Sequence, residues 1–348
     1  MQNKKQIVKY ILKAFGACLL VFFLANTLMF VYNRQPGWLE RSHGATTSIW
    51  RPGSFIVQGQ EGYGIHVVDR NGYLNGGTLV DDNYVLVVGS SQTEGKEVKS
   101  GERYCDILNV ALQKAEEKDT SDLLVYNVSM DANYLPKMLS GFTALISEFP
   151  DSSCIVLEIG TTDYTADEFQ KMLIQREYYE SETGEKIQQG LSVKERLKLM
   201  VKEFFPLLNH VKSQYKAMGT VNNPSASKQE ETVVKDMEAY AKQLGEVFEM
   251  LDSLYDGQII FLYHPTIEIT NDGLTIVYEQ TTEIFKQICD VHEIKFVDMT
   301  QTFLKAYDTD YIVPYGFNNT TLGTGHLNKY GHEMIAENLY QVMTANNL

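Results

Sequence analysis

The chain predicts a three-layer α/β/α sandwich around a parallel sheet, with one apolar span ahead of it and one helical segment inserted into it. Three observations point there. Short apolar runs that end at glycines or polar turns alternate with helical patterns over most of the 348 residues. Residues 14–32 carry no charge. Between the third and fourth strand patterns the alternation stops, and a long amphipathic stretch takes its place.

The span comes first. Its 19 residues, AFGACLLVFFLANTLMFVY, at ~1.5 Å per residue match the hydrocarbon core of a bilayer. Lys4, Lys5, Lys9 and Lys13 precede it and Arg34 follows it. That bias leaves the N-terminus in the cytoplasm and the remainder outside. A cleaved signal would close on small residues, whereas this run closes on Met29, Phe30, Val31 and Tyr32. A lipoprotein signal at Cys18 would need its apolar region ahead of the cysteine. The expectation is therefore an uncleaved, single-pass anchor in the cell membrane.

The rest divides into three parts. Residues 1–33 form the cytoplasmic tip and anchor, 34–80 an extracytoplasmic connector of short strands with a turn at Asn71-Gly72, and 81–348 the α/β domain. Strand patterns fall at 84–89 (YVLVVG), 123–127, 154–160 (CIVLEIG), 258–263 (QIIFLY) and 295–298. Helical patterns fall at 103–116, 134–148, after the Thr165-x-x-Glu168 cap, at 278–291 and at 328–344. The insertion, about 180–256, opens at Ser192-x-x-Glu195 with Val193, Leu197, Val201, Phe204, Leu208, Val211 and Tyr215 on one face, kinked at Pro206. A second helix capped by Ser227-x-x-Glu230 carries Val234, Met237, Leu244, Phe248 and Leu251. The simplest arrangement is a helical hairpin packed on the sheet; its alternative role is a lid or partner surface.

Charge narrows the partners. The total is −15, and setting aside the four lysines of residues 1–33 leaves −19 on the remainder. Such a surface repels phosphate backbones and anionic lipid, which argues against nucleic acid. Cys105, Cys154 and Cys289 lie in apolar patterns and read as buried thiols. No cluster has metal-ligand spacing, and no cofactor is implied.

In a parallel sheet the site lies beyond the C-terminal strand ends. Gly89-Ser90-Ser91-Gln92-Thr93-Glu94-Gly95 places Ser91 on a tight turn after a buried strand, with its hydroxyl and backbone N–H free to act as nucleophile and oxyanion donor. Asn127, Ser129 and Ala132 follow the second strand. Gly160, Thr162 and Asp163 follow the third, and His264 ends the fourth. His326, before the last helix, is a general-base candidate. His332 reads as a helix-surface residue, and His66 and His210 carry no signal.

This order of blocks resembles the SGNH/GDSL hydrolase superfamily. The block Gly-Asp-Ser-x-Thr-x-Gly matches Gly89 to Gly95, with Ser90 in place of the aspartate. The block Asp-x-x-His followed by Leu-Asn and Gly-His matches Gly323 to His326, Leu327-Asn328 and Gly331-His332. Asp69, Asn71, Gly72, Tyr73 and Asn75 resemble the segment ahead of the first block in membrane-anchored members. The resemblance implies a flavodoxin-like sandwich with Ser91 as nucleophile and His326 as base. Its oxyanion donors would be the N–H groups of Ser91 and Ala132 together with Thr162. Asn127, Asp163 and His264 stand as substrate or support residues.

Two departures weaken the match. The oxyanion asparagine is replaced by Thr162, whose hydroxyl has a shorter reach. The triad aspartate is replaced by Gly323, leaving Asp163, Asp308 and Asp310 as substitute acids. The resemblance and the anchor together imply a serine esterase or O-acyltransferase acting on acyl esters of cell-surface or exported polysaccharide. The rival expectation is a catalytically impaired relative that binds glycan or a membrane assembly partner.

Overall fold

The computed structural model describes residues 2–180, 183–221 and 236–345. Helix α1 (Gln2–Tyr32) is long and apolar enough to cross a bilayer, and its span is almost wholly exposed. The connector that follows forms β1 (Trp38–Glu40), β2 (Ser48–Trp50), β3 (Phe55–Gln58), β4 (Gly64–Val67) and β5 (Thr78–Leu79). Strands β1 and β2 pair antiparallel, as do β3 and β4. At the expected turn Gly72 adopts φ 93°, and Asp69 Oδ1 accepts from the N–H groups of Asn71 and Tyr73.

The α/β body then runs β6 (Tyr84–Val88), α2 (Ser91–Glu94), α3 (Tyr104–Ala115), β7 (Asp122–Leu123), β8 (Val125–Asn127), α4 (Leu135–Ser140), α5 (Phe142–Glu148), β9 (Ser152–Ile159) and α6 (Ala166–Leu173). The insertion supplies α7 (Gly184–Gly190), α8 (Val193–Phe204), α9 (Pro206–Val221) and α10 (Met237–Leu254). The chain closes with β10 (Gln258–Tyr263), β11 (Ile267–Thr270), β12 (Gly273–Ile276), α11 (Thr282–Val291), β13 (Lys295–Asp298), α12 (Thr300–Asp310) and α13 (Lys329–Ala345).

Five strands form the central sheet in the order β13-β10-β9-β6-β8, every pair parallel. Read from β8 this is the 2-1-3-4-5 order of a doubly wound sheet, with its switch point between β6 and β9. Alternate residues feed two cores. Leu86, Val88, Ile155, Leu157 and Phe261 face one, which also takes in Trp50, Ile56 and Tyr73 of the connector and α4, α6, α10 and α11. Val85, Val87, Val156, Ile260 and Leu262 face the other, beneath α3, α12 and α13. Cys105, Cys154 and Cys289 are buried free thiols.

Several elements depart from the sequence pattern. The helix expected over 134–148 breaks at Gly141 into α4 and α5. A β11–β12 hairpin precedes α11. The capping boxes at Thr165/Glu168 and Ser192/Glu195 are both formed. The second insertion helix runs from Met237 with Asp236 as its N-cap, and the Ser227 cap and Val234 lie outside the described residues. The larger correction is to the hairpin. Helix α10 does bury Tyr240, Leu244, Val247, Phe248 and Leu251 against the sheet domain. The stripe on α8 and α9 does not: Val193, Leu197, Val201, Phe204, Leu208, Val211 and Tyr215 are all exposed, and α9 packs along α1 instead. Periodicity marks an apolar face without saying what covers it.

His332 is also corrected. It is 1% exposed, stacks on Tyr104 and accepts the Tyr104 N–H at Nδ1 (3.3 Å), because it shares the buried stripe of Ile335, Leu339 and Met343. Burial, helped by Arg103, lowers its imidazole to about 3. His66, packed against the carbonyls of Lys96 and Val98, is lowered to about 4, again by burial first and Arg103 second. Both are neutral in the fold, whereas unfolded histidines take up protons near pH 6.5. The stability they protect is complete above that value and is lost as pH falls from about 6.5 towards 3–4, by up to about 1.4 kcal/mol per pH unit per histidine. Thermal unfolding followed from pH about 7 to about 4.5 should show this loss, and His332→Gln should unfold at a lower temperature near neutrality yet with a shallower pH slope.

Candidate active site

The candidate site lies at the switch point, above the C-terminal ends of β6 and β9. Strand β6 delivers the chain to Gly89, where a Cβ would come within 2.3 Å of Thr93 Oγ1 and 2.6 Å of Glu158 Oε2. Only glycine lets the turn pass this close. Ser90 then caps α2 by accepting the Gln92 N–H (3.2 Å), and Gly95 ends it at φ 64°. Ser91 is thereby the first helical residue, with its N–H bonded to no group among the described residues.

Ser91 Oγ lies 2.9 Å from His326 Nε2. His326 Nδ1 lies 2.7 Å from Glu61 Oε2, and Glu61 Oε1 accepts the His326 backbone N–H at 2.7 Å. A carboxylate on Nδ1 holds the ring proton there and leaves Nε2 to accept from the serine hydroxyl. The acid thus comes from the turn between β3 and β4. None of the substitutes considered from sequence occupies that place: Asp308 and Asp310 are exposed at the end of α12, and Asp163 is exposed beyond β9.

Glycines make the acid's approach possible. Gly325, at φ 78°, would carry a Cβ 2.2 Å from Glu61 Oε1. Gly62, at φ 61°, would carry one 2.1 Å from the Glu97 carbonyl. Asn319 clamps the turn, accepting the Gly62 N–H (2.9 Å) and donating to the carbonyls of Gly59 and Gly62 (both 3.2 Å). A second carboxylate, Glu97, stands 4.0 Å from His326 Nδ1 and accepts from Gln58 (3.2 Å). Burial raises its carboxyl above the usual range, against the pull of His326 and Lys96.

The loop after β8 brings up Ala132, which holds the left-handed φ of 55° that favours glycine. Its N–H likewise meets no acceptor among the described residues. The loop is tied to the nucleophile turn by Met130 N–H to Gly89 O (3.2 Å) and by buried Asn127, which donates to Thr93 O and accepts the Ser129 N–H (both 2.9 Å). Asn127 is therefore a supporting residue. Thr162 is not at the site: its N–H (2.6 Å) and hydroxyl (2.9 Å) both bond Glu279 Oε2, and it is fully buried. Thr161 instead reaches the cleft.

Beneath the turn lies a group that sequence reasoning missed. Glu158 Oε2 accepts the Ser90 N–H (2.6 Å) and the Thr93 hydroxyl (3.1 Å), while Oε1 lies 2.6 Å from His264 Nε2. His264 Nδ1 lies 2.8 Å from the Tyr315 hydroxyl, which itself donates to Pro265 O. His264 is thus held between the Glu158 carboxylate and the Tyr315 hydroxyl, one on each ring nitrogen. Burial alone would raise the Glu158 carboxyl; His264 and the Ser90 donors outweigh it and hold it below the usual range. The available signal was a lone glutamate in the apolar run CIVLEIG.

A cleft of about 450 Å³ opens beside Ser90 and Gln92, walled by Tyr134, Leu135, Met138 and Tyr164. The arrangement is equipped for acyl transfer. It sets a hydroxyl at a helix N-terminus, an imidazole within reach of that hydroxyl and a carboxylate on the far ring nitrogen, the groups that a serine-based acyl transfer uses.

No family model and no curated protein matches this chain. Some solved structures follow a similar course. TesA is 11% identical with a TM-score of 0.38, over 75% of this chain and 98% of its own. The acetyl xylan esterase AlAXEase is 12% identical with a TM-score of 0.39, over 74% and 98%. A two-domain esterase active on acetylated mannans is 9% identical with a TM-score of 0.40, over 76% and 50%. At this level of overlap the chemistry has to be read from the residues of the site.

Two outcomes follow from the geometry. Glu61→Gln should slow the labelling of Ser91 by a fluorophosphonate by about 10³-fold or more, with Gly325→Ala doing the same through displacement of Glu61, while Asp308→Asn and Asp310→Asn leave the rate unchanged. Glu158→Ala should lower unfolding free energy by about 3–5 kcal/mol in denaturant titrations, since it leaves His264 buried without its partner.

Proposed function

We propose that the chain is a serine esterase or O-acyltransferase held at the outer face of a membrane by α1, acting on acyl esters of cell-surface or exported polysaccharide. The observation that carries the chemistry is the unbroken relay from Ser91 through His326 to Glu61, with contacts of 2.9 and 2.7 Å. The missing aspartate at Gly323 is thus made good from another part of the chain, and His326 has the oriented base geometry that a serine nucleophile requires.

In this reading Ser91 Oγ adds to the acyl carbonyl as its proton passes to His326 Nε2. The N–H groups of Ser91 and Ala132 receive the negative charge on the carbonyl oxygen. His326 then protonates the departing sugar oxygen, leaving an acyl-serine. Water or a second hydroxyl, deprotonated by the same imidazole, releases the acyl group. Hydrolase and transferase differ only in that last acceptor.

The membrane placement rests on the length and exposure of α1 and on the four lysines ahead of it. The carbohydrate substrate rests on the resemblance of the blocks around Ser91 and His326, and on an acidic surface better suited to a neutral polymer than to a polyanion.

One observation favours the rival, a binding protein with impaired chemistry: Thr162 supplies no third oxyanion donor. The two separate cleanly. The enzyme reading expects Ser91→Ala to abolish turnover of an aryl acetate and of an acetylated glycan, and expects a fluorophosphonate to label Ser91. Unchanged turnover in Ser91→Ala, or no labelling at high probe concentration, would leave the binding protein.

A further inference from the structure

The corner between α8 and α9 reaches down beside the apolar span. Phe205 stacks on Phe22 and Phe204 on Phe30, with ring centroids 6.1 and 6.5 Å apart. Asn26, a polar residue within that stretch, donates to Phe204 O (2.9 Å) and accepts the Leu207 N–H (3.3 Å). These are the backbone groups that the break at Pro206 leaves open. Six residues separate Asn26 from Tyr32, so the corner sits about 9 Å below the end of α1. An interfacial helix seats its apolar face at a similar depth, ~5–10 Å into the headgroup and acyl boundary.

The outward face of the corner has the composition for that position. Met200, Val201, Leu208 and Val211 are exposed there. Around them residues 193–215 carry Lys194, Arg196, Lys198, Lys202 and Lys212 against Glu195 and Glu203, a local excess of positive charge in a chain of net −15. Glu203 is buried and paired with Arg34 and Arg51, and Glu195 caps α8. The basic groups are close together: partial burial lowers the Lys202 ammonium, and Lys198 and Lys212 lower it further. Basic side chains beside exposed apolar ones favour an anionic lipid surface over the neutral face of another protein.

The geometry points to α8–α9 as a second membrane element, a corner seated in the outer leaflet beside α1 on anionic lipid headgroups; this rests on the reading of α1 as a span. The seating bears on the active site. His210 of α9 lies 3.3 Å from Gln60, next to the triad acid. Tyr63 OH donates to Val31 O at the end of α1 (3.0 Å), and a Cβ on Gly59 would meet the Tyr32 carbonyl at 2.3 Å. The turn that carries Glu61 is thus packed directly on the membrane-side elements.

The test uses the full chain in a Cys18→Ser background, with single cysteines replacing Val201 or Leu208, labelled with an environment-sensitive fluorophore. Leu28→Cys in α1 and Ile65→Cys on exposed β4 are the controls. Vesicles are phosphatidylcholine with or without phosphatidylglycerol, with doxyl lipid and aqueous iodide as quenchers. The expected result is a blue shift and loss of fluorescence to doxyl lipid at 201 and 208, as at 28, with protection from iodide. Lys198→Glu combined with Lys202→Glu should reduce that quenching only where phosphatidylglycerol is present. Labels at 201 and 208 that behave like the one at 65, while 28 is quenched, overturn the seating and leave the span intact. An unquenched label at 28 overturns the span, and the seating with it. Labels shielded from both quenchers overturn lipid as the occupant in favour of a protein, and indifference to both lysines and lipid charge overturns the anionic headgroup.

Discussion

Glu61 holds His326 with both carboxylate oxygens, one on the imidazole and one on the backbone N–H of the same residue. The two bonds fix the ring's tautomer and the path of the loop that carries it. They also join residues 265 apart in sequence, so the loop before α13 and the turn between β3 and β4 cannot be placed independently. Closing so long a loop is entropically unfavourable unless both ends are already held. Both are: the turn by Asn319 and by glycines pressed against the 96–98 backbone, the loop by Gly316 N–H to His326 O and by Asn328. The connector therefore belongs to the site as much as the sheet does.

A second buried charge system lies beneath the turn that carries Ser91. Glu158 rises from the middle strand of the sheet and receives the Ser90 N–H, while His264 and Tyr315 complete its surroundings. An ionised group this deep is tolerable only when its oxygens are all occupied, and here they are. Glu94 repeats the arrangement at the other end of α2, accepting from Trp50 Nε1 (2.5 Å) and pairing with Lys96 (3.1 Å). One relay orients His326, and the other two anchor the short helix that presents Ser91.

On the side facing away from the sheet, the same connector meets the apolar helix. Arg34 pairs its backbone with Val57 and its guanidinium with Glu203 of α8, and it lies over the Phe55 ring at 3.6 Å. The end of α1, the β3–β4 hairpin and the α8–α9 corner form one packed unit, and Glu61 projects from it. A displacement of α1 relative to the body would act directly on the turn that carries Glu61.

Local pattern accounts for much of this molecule. The buried strands, both capping boxes, the break at Pro206 and the turn at Asn71-Gly72 are decided within a few residues, and so is the tight strand-end turn that singles out Ser91. His326 came from a block of similar locality, and the structure places it 2.9 Å from Ser91. What lay beyond reach depended on groups far apart in the chain. Glu61 sits in a turn with no motif of its own, and its role exists only because Gly325 clears the space it enters. Thr162 matched a donor position until Glu279, 117 residues on, took both of its polar groups. The stripe on α8 and α9 was legible as apolar, but whether core or membrane covers it is set by where α1 runs. Residue type and spacing determine which groups are able to act; only the packing of distant segments decides which of them meet.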